Sequence, residues 1–302
     1  MTLIAGLLLL AALLAPQPAA AAGPLPSDLD IIGACRDTFP DVEADPNAEG
    51  GWRLFDSGDR RFLCLYGSLA SDKLPGLLPS VDPGPALTVA VRSTGGPAAS
   101  WLELAEHLRG TEVELLIDEA CFSSCANYLP VVARSIRAVE NSLLVWHGGP
   151  NESLDPDTEL SMANLFEIIA YDAVSRRTRT LYDKKGVSIE LLRVSTLQTD
   201  AKVMSRLIAE AKLTGGALAV AGYAFSPATL AQCFGLTAAQ GMWHAGGDAD
   251  LIRLAQRRSA TLLVLESPRT KDGLRICRAD STPPLQPGVS PPQGETEQHS
   301  GE

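Results

Sequence analysis

"TEVELLIDEACFSSCANYLP", residues 111–130, decides how this chain folds. "VELLI" is a short apolar run, broken only by Glu114, and "TEVELLID" reads as a strand. From Cys125 the stretch "CANYLPVVARSI" reads as helical, with Pro130 held to its first turn or bending it. Strand thus passes into helix within a few residues. At the junction Ser123 and Ser124 are bracketed by Cys121 and Cys125.

The flanking sequence repeats this alternation. "ALTVAVRSTGG" (86–96) is a second apolar strand, ending in paired glycines, and "AASWLELAEHLRG" (98–110) carries Trp101, Leu104, Ala105 and Leu108 at helical spacing. "SLLVWHGGP" (142–150) is a further strand with glycines at its end. Earlier, "WRLFDSGDRRFLCLYGSL" (52–69) reads as two short strands about a turn at Ser57-Gly58-Asp59. Strands alternating with helices from 61 to 150 predict an α/β fold with a largely parallel sheet. Downstream, 162–186 and 196–215 have helical spacing, Ser226-Pro227 opens a short helix stopped by Gly235, and 259–267 suits a late strand.

The ends of the chain read differently. Residues 1–22 have the apolar run and small-residue site of a secretory signal, although the n-region lacks Lys and Arg; an uncleaved interfacial anchor is the rival. Residues 281–302 are rich in Pro, Gly and polar residues and predict a disordered tail. An extension (23–60) and a domain (61–280) lie between. Export predicts a periplasmic or secreted protein with no membrane span after signal removal. In that oxidising setting the six cysteines, Cys35, Cys64, Cys121, Cys125, Cys233 and Cys277, favour disulfides, although sequence alone allows fifteen connectivities. A net charge of −11 argues against nucleic acid, whose phosphates demand a basic face.

In a parallel sheet, chemistry gathers at the carboxyl ends of strands. Gly95-Gly96, Ser123-Ser124 and His147 all stand there. A serine on a strand-to-helix turn has the N–H of the next residue and a helix N-terminus beside it, both suited to an oxyanion. A glycine strand end brings a second N–H close.

"VRSTGG", "CFSSCANYL" and "NSLLVWHGG", in that order and spacing, resemble the Clp-protease/crotonase superfamily, above all the Clp proteolytic subunit and its exported relatives. "RFLCLYGSL" and "FSPATLAQCFGL" add to the likeness, which covers roughly residues 60 to 240. It implies a spiral of strand-strand-helix repeats, with an N-terminal β hairpin and a C-terminal helical region. It also implies a serine hydrolase acting on a peptide or acyl substrate, with Ser124 as nucleophile and His147 as base. The oxyanion hole would be the backbone N–H groups of Gly96 and Cys125. Ser123 is the lesser candidate, because the family places its serine directly before the residue matching Cys125. The family also implies a homo-oligomer. One member is missing: "LTGGALAVAGYAFSP" has no carboxylate where the family carries its acid, and Asp183, Glu190, Asp200 and Glu210 lie out of register. A non-catalytic binding or scaffold protein on the same fold is the alternative.

Cys121 and Cys125 admit a bridge clamping the turn, a redox pair or a zinc site. The compartment favours the bridge, since redox motifs carry two intervening residues and no second ligand pair lies nearby. Cys35 with Cys64, and Cys233 with Cys277, are the other pairings. "WHAGGDADL" (243–251), with His244, Asp248 and Asp250, reads as turn chemistry before it reads as a metal loop. No cofactor is expected.

Overall fold

The computed structural model describes residues 27–45, 48–57, 60–69, 71–81, 86–150, 162–196, 219–258 and 262–268. The signal segment, the C-terminal tail, most of the helix expected at 196–215, and Cys277 lie outside them.

Chain order runs α1 (Asp28–Thr38), α2 (Pro40–Ala44), β1 (Gly51–Ser57), β2 (Arg60–Tyr66), α3 (Leu74–Leu77), β3 (Leu87–Ser93), α4 (Ala98–Leu108), β4 (Val113–Phe122), α5 (Ser124–Val132), β5 (Ala133–Ala138) and β6 (Leu143–Val145). Then come α6 (Met162–Lys185), α7 (Glu190–Val194), β7 (Ala219–Tyr223), α8 (Pro227–Phe234), α9 (Asp248–Gln256) and β8 (Leu262–Leu265). β1 to β5 form one sheet in sequence order, and β6 also pairs with β4. Among the described strand pairs of this sheet the β1–β2 hairpin is antiparallel and the others are parallel. The protein is therefore α/β with a mixed, mostly parallel sheet, as the strand and helix alternation predicts.

Alternation along the strands builds two cores. Leu63, Leu65, Val89, Val91, Leu115 and Ile117 face the main core with Trp101, Leu104, Leu108 and Leu129 from α4 and α5. Phe62, Cys64, Tyr66, Ala90 and Leu116 point the other way, against Ile31, Ile32 and Cys35 of α1. Both faces are dry, which is why these strands read as unbroken apolar runs. Burying each leucine stabilises the fold by roughly 1.5–3 kcal/mol. The Cys35–Cys64 disulfide (Cα–Cα 5.5 Å) staples α1 to β2. β7 and β8 pair separately. They join the main sheet through Trp146 and Tyr223, which exchange two backbone hydrogen bonds of 3.0 and 2.7 Å.

β4 is irregular where it matters. Val91 pairs with Ile117 and Ser93 with Cys121, so Asp118, Glu119 and Ala120 lie opposite the single residue Arg92. Glu119 takes φ 64° at this bulge. Before it β4 pairs with β5, and after it with β6. The bulge is held by charge. The fully buried Asp118 carboxylate accepts from Arg36 Nε (2.9 Å) and Nη2 (2.6 Å) and from Tyr66 Oη (2.8 Å). Arg92 pairs with Glu119 at 3.0 Å, and the Glu119 N–H donates to Ser142 Oγ at 2.9 Å.

One element departs from expectation. The helical reading of 125–136 stops at Val132, and Ala133–Ala138 is strand β5, with no loop between them. Pro130 brings no N–H to the ladder and Val131-Val132 are β-branched, so the helix ends as soon as the first half of β4 offers a partner. Among the described residues no helix is long and apolar enough to cross a membrane.

Candidate active site

Ser123 alone separates β4 from α5. Its φ of 58° and ψ of −127° are rare for a residue with a side chain, and cost about 1–3 kcal/mol that the surroundings must supply. The backbone is pinned at both ends: Ser123 N–H donates to Val145 O (3.1 Å), and Ser123 O accepts from Asn127 N–H (2.9 Å). The side chain is half-buried, caps nothing and makes no hydrogen bond among the described residues.

Ser124 is placed otherwise. It is the first residue of α5, 5% exposed, and its hydroxyl donates to Gly96 O at 2.8 Å. That bond ties the elbow to the end of β3. Gly95 completes the contact: with φ 99°, a Cβ there would lie 2.7 Å from Phe122 O and 2.7 Å from Ser123 Cβ. Only glycine lets the two strand ends meet. The Gly95 N–H is already committed to Ser93 Oγ at 3.0 Å. The N–H groups of Gly96, Ser124 and Cys125 donate to no acceptor among the described residues. Donors without an acceptor among the described residues thus stand at the N-terminus of α5 and at the end of β3, an arrangement suited to negative charge.

His147 is exposed and makes no hydrogen bond or ion pair among the described residues. Its backbone is better held than its ring. On one side, Val145 O receives the Ser123 N–H and Trp146 bridges to Tyr223. On the other, Gly148 N–H donates to Ser195 Oγ at 2.9 Å, and Gly148 O accepts from Asn127 Nδ2 at 2.8 Å. The structure thus joins Gly96, Ser124 and Cys125 and sets the His147 segment against the elbow. It bonds the His147 ring to neither serine and to no carboxylate among the described residues. Glu190 pairs with Arg193 at 2.5 Å, the carbonyl of Asp183 receives Gly186 N–H at 3.2 Å, and Asp200 and Glu210 lie outside the described residues.

Cys121 and Cys125 are bridged (Cα–Cα 5.4 Å), fully buried, and span the elbow from the last turn of strand to the first of helix. Cys233 is disulfide-bonded as well. The loop at 243–251 is occupied by local bonding: the His244 ring nitrogens face Ala245 O (2.6 Å) and Ala224 O (2.9 Å), and Asp248 accepts from Glu266 N–H (2.7 Å). No group of three or more His, Cys, Asp or Glu among the described residues is placed to hold a metal ion.

Two features escaped the sequence. The strained residue is Ser123, one position before the favoured serine, and its dihedral angles are set by partners distant in sequence. Asn127 and Ser195 contact Gly148 across 21 and 47 residues, and no local pattern marks them. Compared with protein-family models and with curated proteins, the chain matches none.

Proposed function

We propose that the protein is an exported serine hydrolase on a Clp/crotonase-like spiral, acting on a peptide or acyl substrate in an oxidising compartment. The observation that carries this is the elbow: a single strained serine between β4 and α5, its half-buried hydroxyl without a hydrogen bond among the described residues, at the start of a helix whose first N–H groups have no acceptor among them. The resemblance favoured Ser124, but a hydroxyl buried and donating to Gly96 O is spoken for. We therefore take Ser123 as nucleophile. Ser123 Oγ attacks the substrate carbonyl while His147 takes its proton. The oxyanion lies against the N–H groups of Gly96 and Ser124, the latter following the nucleophile as an elbow requires. Collapse expels the leaving group with the proton from His147, and water then releases the acyl group by the same steps. The two disulfides and the sequence of residues 1–22 support export.

A fluorophosphonate probe tests this, since labelling forms a Ser Oγ–P bond, expels fluoride and passes the serine proton to the base. The unmodified protein is expected to label, Ser124→Ala to label too, and Ser123→Ala and His147→Ala to lose labelling by about 10²-fold or more. An unlabelled wild type leaves the non-catalytic binding protein, a reading favoured by the lack of a carboxylate bonded to His147 among the described residues. Labelling that survives in Ser123→Ala but not in Ser124→Ala returns the role to Ser124.

A further inference from the structure

In place of an orienting carboxylate, which no described residue brings to His147, we infer that a backbone clamp built from Asn127 and Ser195 positions His147, an inference that rests on the hydrolase reading above. Asn127 is 2% exposed and sits one turn into α5, with its backbone N–H on Ser123 O (2.9 Å) and its Nδ2 on Gly148 O (2.8 Å). The amide orientation follows from that second bond, since only the nitrogen can donate to a carbonyl. Asn127 O in turn accepts from Tyr182 Oη at 2.7 Å, which anchors the residue to α6. From the opposite side Ser195 Oγ, 3% exposed at residue level, receives Gly148 N–H (2.9 Å) while donating to Leu192 O (2.8 Å). Both polar groups of Gly148, the residue after His147, are thus held by buried side chains. One of those side chains belongs to the elbow itself.

The Oδ1 of Asn127 is buried with no partner among the described residues, a cost that a leucine or alanine here would not incur. A polar residue kept at that cost is explained by what Nδ2 does. Next to it, Gly149 leaves the necessary room: a Cβ would stand 2.9 Å from Leu192 Cδ1 and 3.0 Å from Asn127 Nδ2. Asn127 and Ser195 touch no substrate in this scheme. They are positioning residues that fix the distance between the nucleophile's turn and the base's backbone.

The test is a double-mutant cycle on the rate of fluorophosphonate labelling of the full mature protein, with probe affinity and the maximal rate resolved separately. Asn127→Ala is expected to lower the maximal rate by about 10–10²-fold and leave probe affinity unchanged, the scale of a small misplacement of a reacting group. Combined with His147→Ala it should slow labelling no further than His147→Ala alone, because it acts only through that ring. Ser195→Ala should fall in the same direction, and Ser195→Thr, which keeps the hydroxyl, should recover most of the rate. If Asn127→Ala does not fold, the Ser195 pair decides the matter. Additive losses in the cycle, an unchanged rate in both alanine variants, or no recovery in Ser195→Thr would overturn the clamp while leaving the hydrolase reading intact. A wild type that never labels, or a His147→Ala protein that labels at the wild-type rate, overturns both.

Discussion

Substituting glycine for Ser123 should make the protein more stable while removing its proposed nucleophile. The residue holds φ 58° and ψ −127° with a Cβ attached, at a cost of about 1–3 kcal/mol. Glycine adopts those angles freely but gives back about 0.5–1 kcal/mol through the greater freedom of its unfolded chain. The net gain expected for Ser123→Gly is about 1 kcal/mol. Alanine offers no such relief, since its Cβ meets the same obstruction, and the hydroxyl it deletes has no partner. Ser123→Ala should therefore stay within about 0.5 kcal/mol of the wild type. Ser124→Ala behaves in the opposite way, losing the buried bond to Gly96 O and about 1 kcal/mol with it. For a folded unit of this size 1 kcal/mol corresponds to about 2–4 °C in Tm. The expected order, by calorimetry under oxidising conditions, is Ser123→Gly above wild type, Ser123→Ala level with it, and Ser124→Ala below. If Ser123→Gly melts no higher than Ser123→Ala, there is no strain at the elbow and the assignment of the nucleophile loses its foundation.

The disulfides should separate by function. Opening Cys35–Cys64, which closes 29 residues, should cost about 3–4 kcal/mol by chain entropy, against about 2 kcal/mol for the four-residue Cys121–Cys125 loop. Yet only the Cys121→Ala, Cys125→Ala double variant should slow labelling; equal labelling in both pairs of variants would refute a frame role for the second bridge. Burial raises the phenols of Tyr66, Tyr128 and Tyr182, Tyr128 to about 12, while an unfolded tyrosine ionises near 10. The neutral rings thus contribute stability that is complete below about pH 10 and lost as pH rises through the folded values. Tyr128→Phe should flatten the fall in urea-measured stability between about pH 10 and about 12, and an unaltered slope would exclude Tyr128 as its source. Gly222→Ala would set a Cβ 2.5 Å from Trp146 O and loosen the join between β7 and the main sheet, for a loss of about 1–3 kcal/mol in denaturant titration. An unchanged midpoint would mean that the join can give way without cost.

The parallel α/β core was legible because its chemistry is local. Val89, Val91, Leu115 and Ile117 are apolar in unbroken runs since helices cover both faces, and Trp101, Leu104 and Leu108 repeat at helical spacing. The caps were legible too: Ser226 accepts from Thr229 N–H at 3.3 Å, and Gly235 takes φ 74° where α8 ends. β5 was not, because "ARSIRA" buries only Ile136 and becomes a strand through its pairing with β4. At the site, the three strand ends were found from their glycines, serines and histidine. Which serine carries the strain was hidden, because the dihedral angles of Ser123 are imposed by Gly95 and Val145, far away in sequence. Distant partners likewise conceal the clamp on Gly148.

The three-for-one bulge in β4 sets the height of the serine turn. In an unbroken ladder Ser93 would lie opposite Glu119 and the two strands would advance in step. Ser123 would then stand level with Pro97, two residues or about 6.6 Å beyond where it is found. Folding the surplus into the bulge draws the turn back to Gly95, and Asp118 and Glu119 are the residues spent in doing so. The buried charge of Asp118 and the part-exposed charge of Glu119 therefore act as a length gauge. Deleting two residues from Asp118–Ala120 would leave β4 with a straighter, better-paired edge, yet it would strip away the ion pairs that hold the gauge closed. Chain length between Val113 and Ser123 is consequently constrained for reasons that have nothing to do with how well either strand packs.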